Sequence, residues 1–170
     1  AVVCDAIPVL RLAGYLHSQS VALAEQTRQP SALGLSYMGL ALHEHYVVGS
    51  WDRALEHYHK ATSGFWEAGD LRRWAATSSM LAVLLGQRGD MVASLDLCRE
   101  IARVGEDAGD QEAWAWGVST EAFALDQAGE IDQAVAKGQV ATALLKDLAD
   151  YRSAVSAQGT LARCFLRQGK

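Results

Sequence analysis

Proline is nearly missing from this chain: Pro8 and Pro30 are the only two among 170 residues. Proline removes a backbone donor and clashes with the preceding turn. Its scarcity, with alanine and leucine abundant, permits long uninterrupted helices almost everywhere. Cysteine is scarce too, and Cys4, Cys98 and Cys164 are odd in number and far apart. No CxxC pair and no histidine at finger spacing accompanies them, which argues against a zinc site and for reduced thiols in a cytoplasmic setting. The longest purely apolar run, 80–85, has six residues, far short of the roughly 20 that span a bilayer, so no membrane segment is expected. No basic stretch precedes an apolar one at the start, so no secretory signal is expected either. A basic excess is also missing: 15 Lys and Arg face 20 Asp and Glu, a net charge of −5. That balance counts against direct binding to nucleic acid or to an anionic membrane. GxGxxG, GxxxxGK[ST] and GxSxG are absent, so phosphate cradles and nucleophile elbows lack their minimal sequence.

What remains is a chain with 50% hydrophobic and 21% charged residues, the balance of a soluble globular protein rather than a disordered acidic tail. Its organisation is periodic. Gly49, Gly89, Gly129 and Gly169 stand 40 residues apart, a spacing too regular for chance. A second set shares the period: Glu67-Ala68-Gly69-Asp70, Asp107-Ala108-Gly109-Asp110 and Asp147-Leu148-Ala149-Asp150. Trp74-Ala75 recurs as Trp114-Ala115, and Ala82, Ala122 and Ala162 fall in register. Two glycine markers per period imply two helices per repeat.

Between markers the apolar residues keep helical steps. Leu71, Trp74, Ala75, Ser78, Leu81, Ala82 and Leu85 make one stripe, and Met91, Leu95, Cys98, Ile101, Ala102 and Gly105 the next, with Arg99, Glu100 and Arg103 largely off it. Asp70, Asp90 and Asp110 each follow a glycine able to end a helix in the left-handed conformation, and each sits where an N-cap acceptor is wanted. Pro30 takes the equivalent place one period earlier, where the first turn has spare N–H groups. The spacing predicts helices over about 10–28, 31–48, 51–67, 71–87, 91–107, 111–127, 131–147 and 151–168. Connections of two or three residues force neighbours antiparallel. The expected fold class is all-α, a right-handed superhelical solenoid of antiparallel helix pairs with one concave face. Its parts are a half repeat near 10–28, full repeats at 31–69, 70–109 and 110–149, and a half repeat at 150–170.

These residues resemble tetratricopeptide repeats in a 40-residue form. With the repeat's central glycine on Gly49, the following aromatic, small, aromatic and small positions hold Trp51, Ala54, Tyr58 and Ala61. Around Gly89 they hold Met91, Ser94, Cys98 and Ile101, and around Gly129, Ile131, Ala134, Gly138 and Ala141. The family's first-helix signature of Trp, Leu-Gly and Tyr is replaced here by Met38, Ala41-Leu42 and His45. The resemblance implies binding of a peptide, protein segment or small effector along a groove lined by the first helix of each repeat. Carried across residue by residue, the groove takes Ser36, Gly39, His43 and Tyr46, then Ala76, Ser79, Val83 and Gln87. It continues with Trp116, Ser119, Phe123 and Asp126, and ends with Ser156, Gly159, Arg163 and Leu166 beside Arg167. Aromatic anchors with guanidinium groups suit a segment bearing carboxylates; the competing reading seals Trp116 and Phe123 into packing between repeats. Similar 40-residue arrays form adaptor and sensor regions of bacterial ATPases, LuxR-type activators and nucleotide cyclases, and the Ala- and Arg-rich, Lys-poor composition leans toward a bacterial source.

Other tempting residues have plainer readings. His43-Glu44-His45 and His57-Tyr58-His59 place their histidines two apart, about 200° around a helix, which does not fit a metal-binding face. His45, at an aromatic position of the repeat, reads as a core residue. Glu106, Asp107, Asp110 and Glu112 straddle a helix boundary, where carboxylates cap free N–H groups. Cys98, on the apolar stripe, reads as an inert core thiol. No nucleophile–base spacing occurs, so neither an enzyme nor a cofactor is expected. The first helix aligns with a second helix of a repeat and the last with a first helix, so both ends open mid-repeat. The expectation is a fragment of a longer cytoplasmic regulatory protein acting as a protein-binding module. The alternative is an assembly element that positions neighbouring domains, with homodimer formation through terminal faces at Tyr151 and Phe165.

Overall fold

The paired residues Gly-Asp end one helix and start the next, each by a separate bond. The computed structural model describes the backbone of residues 2–169 and the side chains of residues 12–169. At Gly69, Gly89 and Gly109 the backbone is left-handed, with φ of 67°, 89° and 68°, a region that penalises any residue with a Cβ. The following N–H groups of Asp70, Asp90 and Asp110 donate back to the carbonyls of Phe65, Leu85 and Gly105 at 2.9, 3.0 and 2.8 Å, which closes the helix end. The same aspartates accept from the N–H of Arg73, Ala93 and Ala113 at 3.1, 3.1 and 3.0 Å, caps worth about 1 kcal/mol each. At the next such junction Asp150 behaves alike, accepting from Ser153 N–H at 3.1 Å, but the left-handed position is Ala149, at φ 56°.

The elements are α1 (Val2–Thr27), α2 (Pro30–His43), a π-helical segment (Glu44–Val48), α3 (Trp51–Glu67), α4 (Leu71–Gln87), α5 (Met91–Ala108), α6 (Gln111–Ala128), α7 (Ile131–Asp147) and α8 (Tyr151–Arg167). From α3 onward the expected spans hold to within one residue. α1 begins at Val2, upstream of the point near residue 10 where its apolar period becomes readable. The expected helix 31–48 is not uniform: it widens at Glu44, whose carbonyl accepts from Gly49 and Ser50. The cause lies in two consecutive polar side chains that are both buried. Glu44 meets His57 and Arg53, and His45 meets the Tyr58 hydroxyl. Inserting one residue into the turn is a common way to re-aim side chains at such a place.

The chain forms two compact units, Ala1–Thr77 and Ser78–Lys170, the division falling inside α4. In the first, α2 packs on both α1 and α3. Gly34 near the start of α2 faces Phe65 near the end of α3, the antiparallel arrangement that a two-residue turn requires. Tyr58 and Phe65 are fully buried there. In the second unit α5, α6, α7 and α8 pack in sequence, with α8 also touching α6. Its core is built from small residues, Ala115, Ala141, Ala154 and Ala157 around Val118 and Leu145. Small residues let the helix axes approach, and the abundant alanine has this use. Among the described residues there is no strand, and no helix is long and apolar enough to cross a membrane.

Candidate functional site

Asp126 organises the second unit's polar centre. It lies near the end of α6, fully buried, and a bare carboxylate at such a place would cost several kcal/mol. α8 supplies the compensation. Arg163 Nε donates to Oδ2 and Arg167 Nη1 to Oδ1, both at 3.0 Å, and Arg167 Nη1 also reaches the Asp126 carbonyl at 2.7 Å. The Cys164 thiol adds a weak bond to Oδ1 at 3.6 Å. Arg163 further bonds Thr160 at 3.4 Å, and its guanidinium stands 5.4 Å from the centre of the Phe123 ring. One carboxylate therefore holds two cations, leaving one net positive charge, and the arginine side chains remain 46% and 50% exposed. Two guanidinium groups fixed by one buried anchor, beside a partly buried aromatic, can receive a second carboxylate with little loss of side-chain freedom. Burial first, then Asp126, pushes the Cys164 thiol up, away from the reactive thiolate form.

The structure thus brings Phe123, Asp126, Arg163 and Arg167 together. Asp126, expected among the groove-lining residues, has no exposed surface and is bonded by both arginines instead. Trp116, one turn before Thr120 on α6, is partly buried against the Ala115–Leu145 core, and its indole N–H donates to Asp150 Oδ2 at 3.1 Å. Burial raises the Asp150 carboxyl, but hydrogen bonds from Ser153 and Trp116 outweigh it and hold the group below its ordinary value. Trp116 therefore ties α6 to the start of α8 as well as presenting an edge. Gln87 is exposed at the last residue of α4. On α8, Tyr151 is exposed and Phe165 partly buried.

His43 and Tyr46 belong to the first unit. The His43 ring lies 5.8 Å from that of His17 on α1, and burial followed by the His43 charge lowers the His17 pKa. Tyr46 is exposed and stacks at 4.0 Å on the buried His45, the core role expected of that histidine. A depression of about 490 Å³ between α1, α2 and α3 has a mixed lining that includes Glu25, Tyr37 and Lys60. Of those groups, Tyr37 donates to Glu25, and Lys60 pairs with Glu56.

Two polar clusters were not singled out from sequence. Glu44, buried, pairs with His57 at 2.8 Å and Arg53 at 3.3 Å. Glu121, buried on α6, pairs with Arg99 of α5 at 3.3 Å and Lys137 of α7 at 2.6 Å. Cys98 is buried as expected, and burial with the nearby Glu121 pushes its thiol up to about 12. Cys4 lies outside the described side chains. Among the described residues no three His, Cys, Asp or Glu side chains gather as metal ligands.

By fold this chain is a TPR-like helical repeat: all-α, with antiparallel pairs punctuated by left-handed glycines at a 40-residue period. Among solved structures it is similar to the nearly identical TPR-like repeats of a putative kinesin light chain from Podospora anserina, with a TM-score of 0.68 over 94% of this chain and 79% of that one, at 18% identity. At that identity the likeness is one of fold. No family model and no curated protein matches the sequence.

Proposed function

We propose that the chain is a non-enzymatic protein-interaction module that captures a protein segment carrying a carboxylate. The observation that supports this is the buried Asp126 holding Arg163 and Arg167, half-exposed, beside Phe123. A segment carboxylate takes the guanidinium donors that Asp126 leaves unused, and a neighbouring apolar side chain lies on Phe123. Trp116 and Gln87 extend the recognition surface within the second unit; His43 and Tyr46, of the first unit, make a candidate surface of their own. In this reading the ligand is protein rather than nucleic acid, which the net charge of −5 supports. The context in this reading is a sensor or scaffold region of a larger cytoplasmic bacterial regulatory protein.

The test uses a fluorescein-labelled library of acidic peptides, read by fluorescence anisotropy, against the intact chain. Arg163→Gln and Phe123→Leu should each weaken the tightest peptide about tenfold, and changing the peptide's acids to amides should do the same. Unchanged affinity in variants with an unchanged circular dichroism spectrum would move the site elsewhere. A second reading makes the chain an assembly element that self-associates through terminal faces, with Tyr151 and Phe165 of α8 as contacts. The exposure of Tyr151 supports it.

A further inference from the structure

The depression of about 490 Å³ in the first unit has the size of a small-molecule site. α2 packs on both α1 and α3, and residues of all three helices line it. Its room comes from side chains smaller than those the repeat supplies elsewhere. Counted from the first residue of each helix, Leu33 of α2 stands where α4 and α6 carry Trp74 and Trp114. Ser63 and Gly64 of α3 stand where α5 carries Arg103 and Val104. Gly64 also lets α3 lie against the first turn of α2, since a Cβ there would come within 2.8 Å of the Pro30 carbonyl oxygen.

The rim belongs to positions that the array leaves open. Counted back from the left-handed residue that follows each helix, Glu25 corresponds to Trp66, Glu106 and Lys146, and Glu67 to Asp107 and Asp147. All five counterparts are exposed, including the two on α5 in mid-chain. Further repeats of the same kind would therefore not close over Glu25 and Glu67.

The charges favour a cation. The lining carries two acids, Glu25 and Glu67, against one lysine, and Lys60 is already paired with Glu56 at 2.6 Å. His59 is the other basic group. Tyr37 donates to Glu25 Oε1 at 2.8 Å, which leaves Oε2 to a ligand, and Glu67 is exposed at the last residue of α3. α1 and α3 end at Thr27 and Glu67, so the negative ends of two helices meet the depression. The one positive end is that of α2, and its first residue, Pro30, has no N–H to offer an anion. Leu33, Pro30 and the Tyr37 ring supply an apolar wall beside the carboxylates.

We propose that this depression binds an organic cation, a primary amine or guanidinium on a short apolar body, its charge held by Glu25 and Glu67 and its body lying on Leu33 and Tyr37. A free amine and the Lys or Arg side chain of a partner protein share this chemistry. The site lies wholly in the first unit and is independent of the arginine site and of the assembly reading.

Titration of the isotope-labelled chain, followed by amide correlation spectra in NMR, tests it with three probes. Phenethylamine is the free amine, a blocked Leu-Arg dipeptide the side-chain source, and phenylacetate the same body with its charge reversed. Phenethylamine should shift the amides around Glu25, Leu33 and Ser63 with a Kd of about 0.1–1 mM, as suits a ligand of its size, and phenylacetate should not. Glu25→Gln and Glu67→Gln should each weaken phenethylamine about tenfold. Leu33→Trp, which installs the side chain of the later repeats, should abolish binding, while Glu100→Gln, at an exposed site on α5, should leave it unchanged. A dipeptide that binds more tightly than phenethylamine assigns the site to a partner's side chain, and the reverse order assigns it to a free amine. The proposal is overturned if neither cation shifts these amides or if phenylacetate binds as well as phenethylamine. It is equally overturned if Glu25→Gln and Glu67→Gln, with unchanged thermal melts, bind as the wild type does.

Discussion

Deleting Asp126 and deleting its two arginines should have unequal costs, although both break the same ion pairs. The carboxylate is fully buried, whereas Arg163 and Arg167 keep about half their side-chain surface in water. When Asp126→Asn removes the charge, two charge-assisted bonds worth roughly 1.5–3 kcal/mol each are weakened, but the guanidinium groups rehydrate. Solvent screening then discounts the loss to about 1–2 kcal/mol. The double change Arg163→Ala with Arg167→Ala leaves a buried carboxylate with only the Cys164 thiol at 3.6 Å, and an uncompensated buried charge costs about 3–5 kcal/mol. Adding Asp126→Leu to that double variant removes the charge and fills the space, so it should recover about 2 kcal/mol or more. Urea unfolding followed by circular dichroism at 222 nm measures all three, provided the slope with denaturant is unchanged. The reasoning fails if Asp126→Asn is as costly as the double arginine change, or if Asp126→Leu makes the double variant worse.

Other perturbations have definite signs. Ala149→Gly relieves the left-handed φ of 56° and should raise stability by about 0.5–1 kcal/mol after the entropy lost to a freer unfolded chain; Gly109→Ala should lower it, and equal melting temperatures for both would refute the strain. Gly117→Ala drives a methyl into the backbone of Ala102 and should cost about 1–3 kcal/mol by overpacking, while Gly159→Ala meets nothing and should gain about 1 kcal/mol, as thermal melts of dilute protein will report. His17 has a lowered pKa, so the folded chain holds that proton less readily than the unfolded one and stability rises with pH across this titration. Its contribution is present above the ordinary value of 6.5 and is lost as pH falls through the folded value. The difference in urea midpoint between pH 7.5 and 5.5 should therefore shrink in His17→Gln, and an unchanged difference would remove His17 from the explanation.

The junctions were legible in sequence because their demands are local. A left-handed residue and a cap acceptor act within three residues of each other, so Gly-Asp at fixed spacing specifies both, and the helix lengths follow. The π-helical segment was not legible, since it answers to residues 44 and 45 finding separate partners 13 positions away in His57 and Tyr58. The arginine site was half legible. The groove positions placed Phe123, Asp126, Arg163 and Arg167 near one another, but not the fact that Asp126 is sealed in, because that depends on cations 37 and 41 residues downstream.

A signal for the buried carboxylates does exist in the sequence, and it lies in the columns of the repeat rather than along the chain. The column of Glu44 otherwise holds Leu84, Ala124 and Cys164, all buried. The column of Glu121 holds Ala41, Leu81 and Leu161, the first two buried. A carboxylate in a buried apolar column must be compensated, and both are: Glu44 by α3 and Glu121 by α5 and α7; Asp126, whose column holds the exposed Tyr46 and Leu166, carries no such signal and is compensated by α8. Such pairs rarely add net stability over apolar residues of the same volume, so stability does not account for two of them on α6. They do make α6 selective, because a neighbouring helix that lacks Arg99, Lys137 or the Arg163–Arg167 pair at the right turn would strand a buried charge. In a chain of near-equivalent helices, where apolar stripes alone would let any helix pack on any other, that penalty fixes which helix lies beside α6 and in which register.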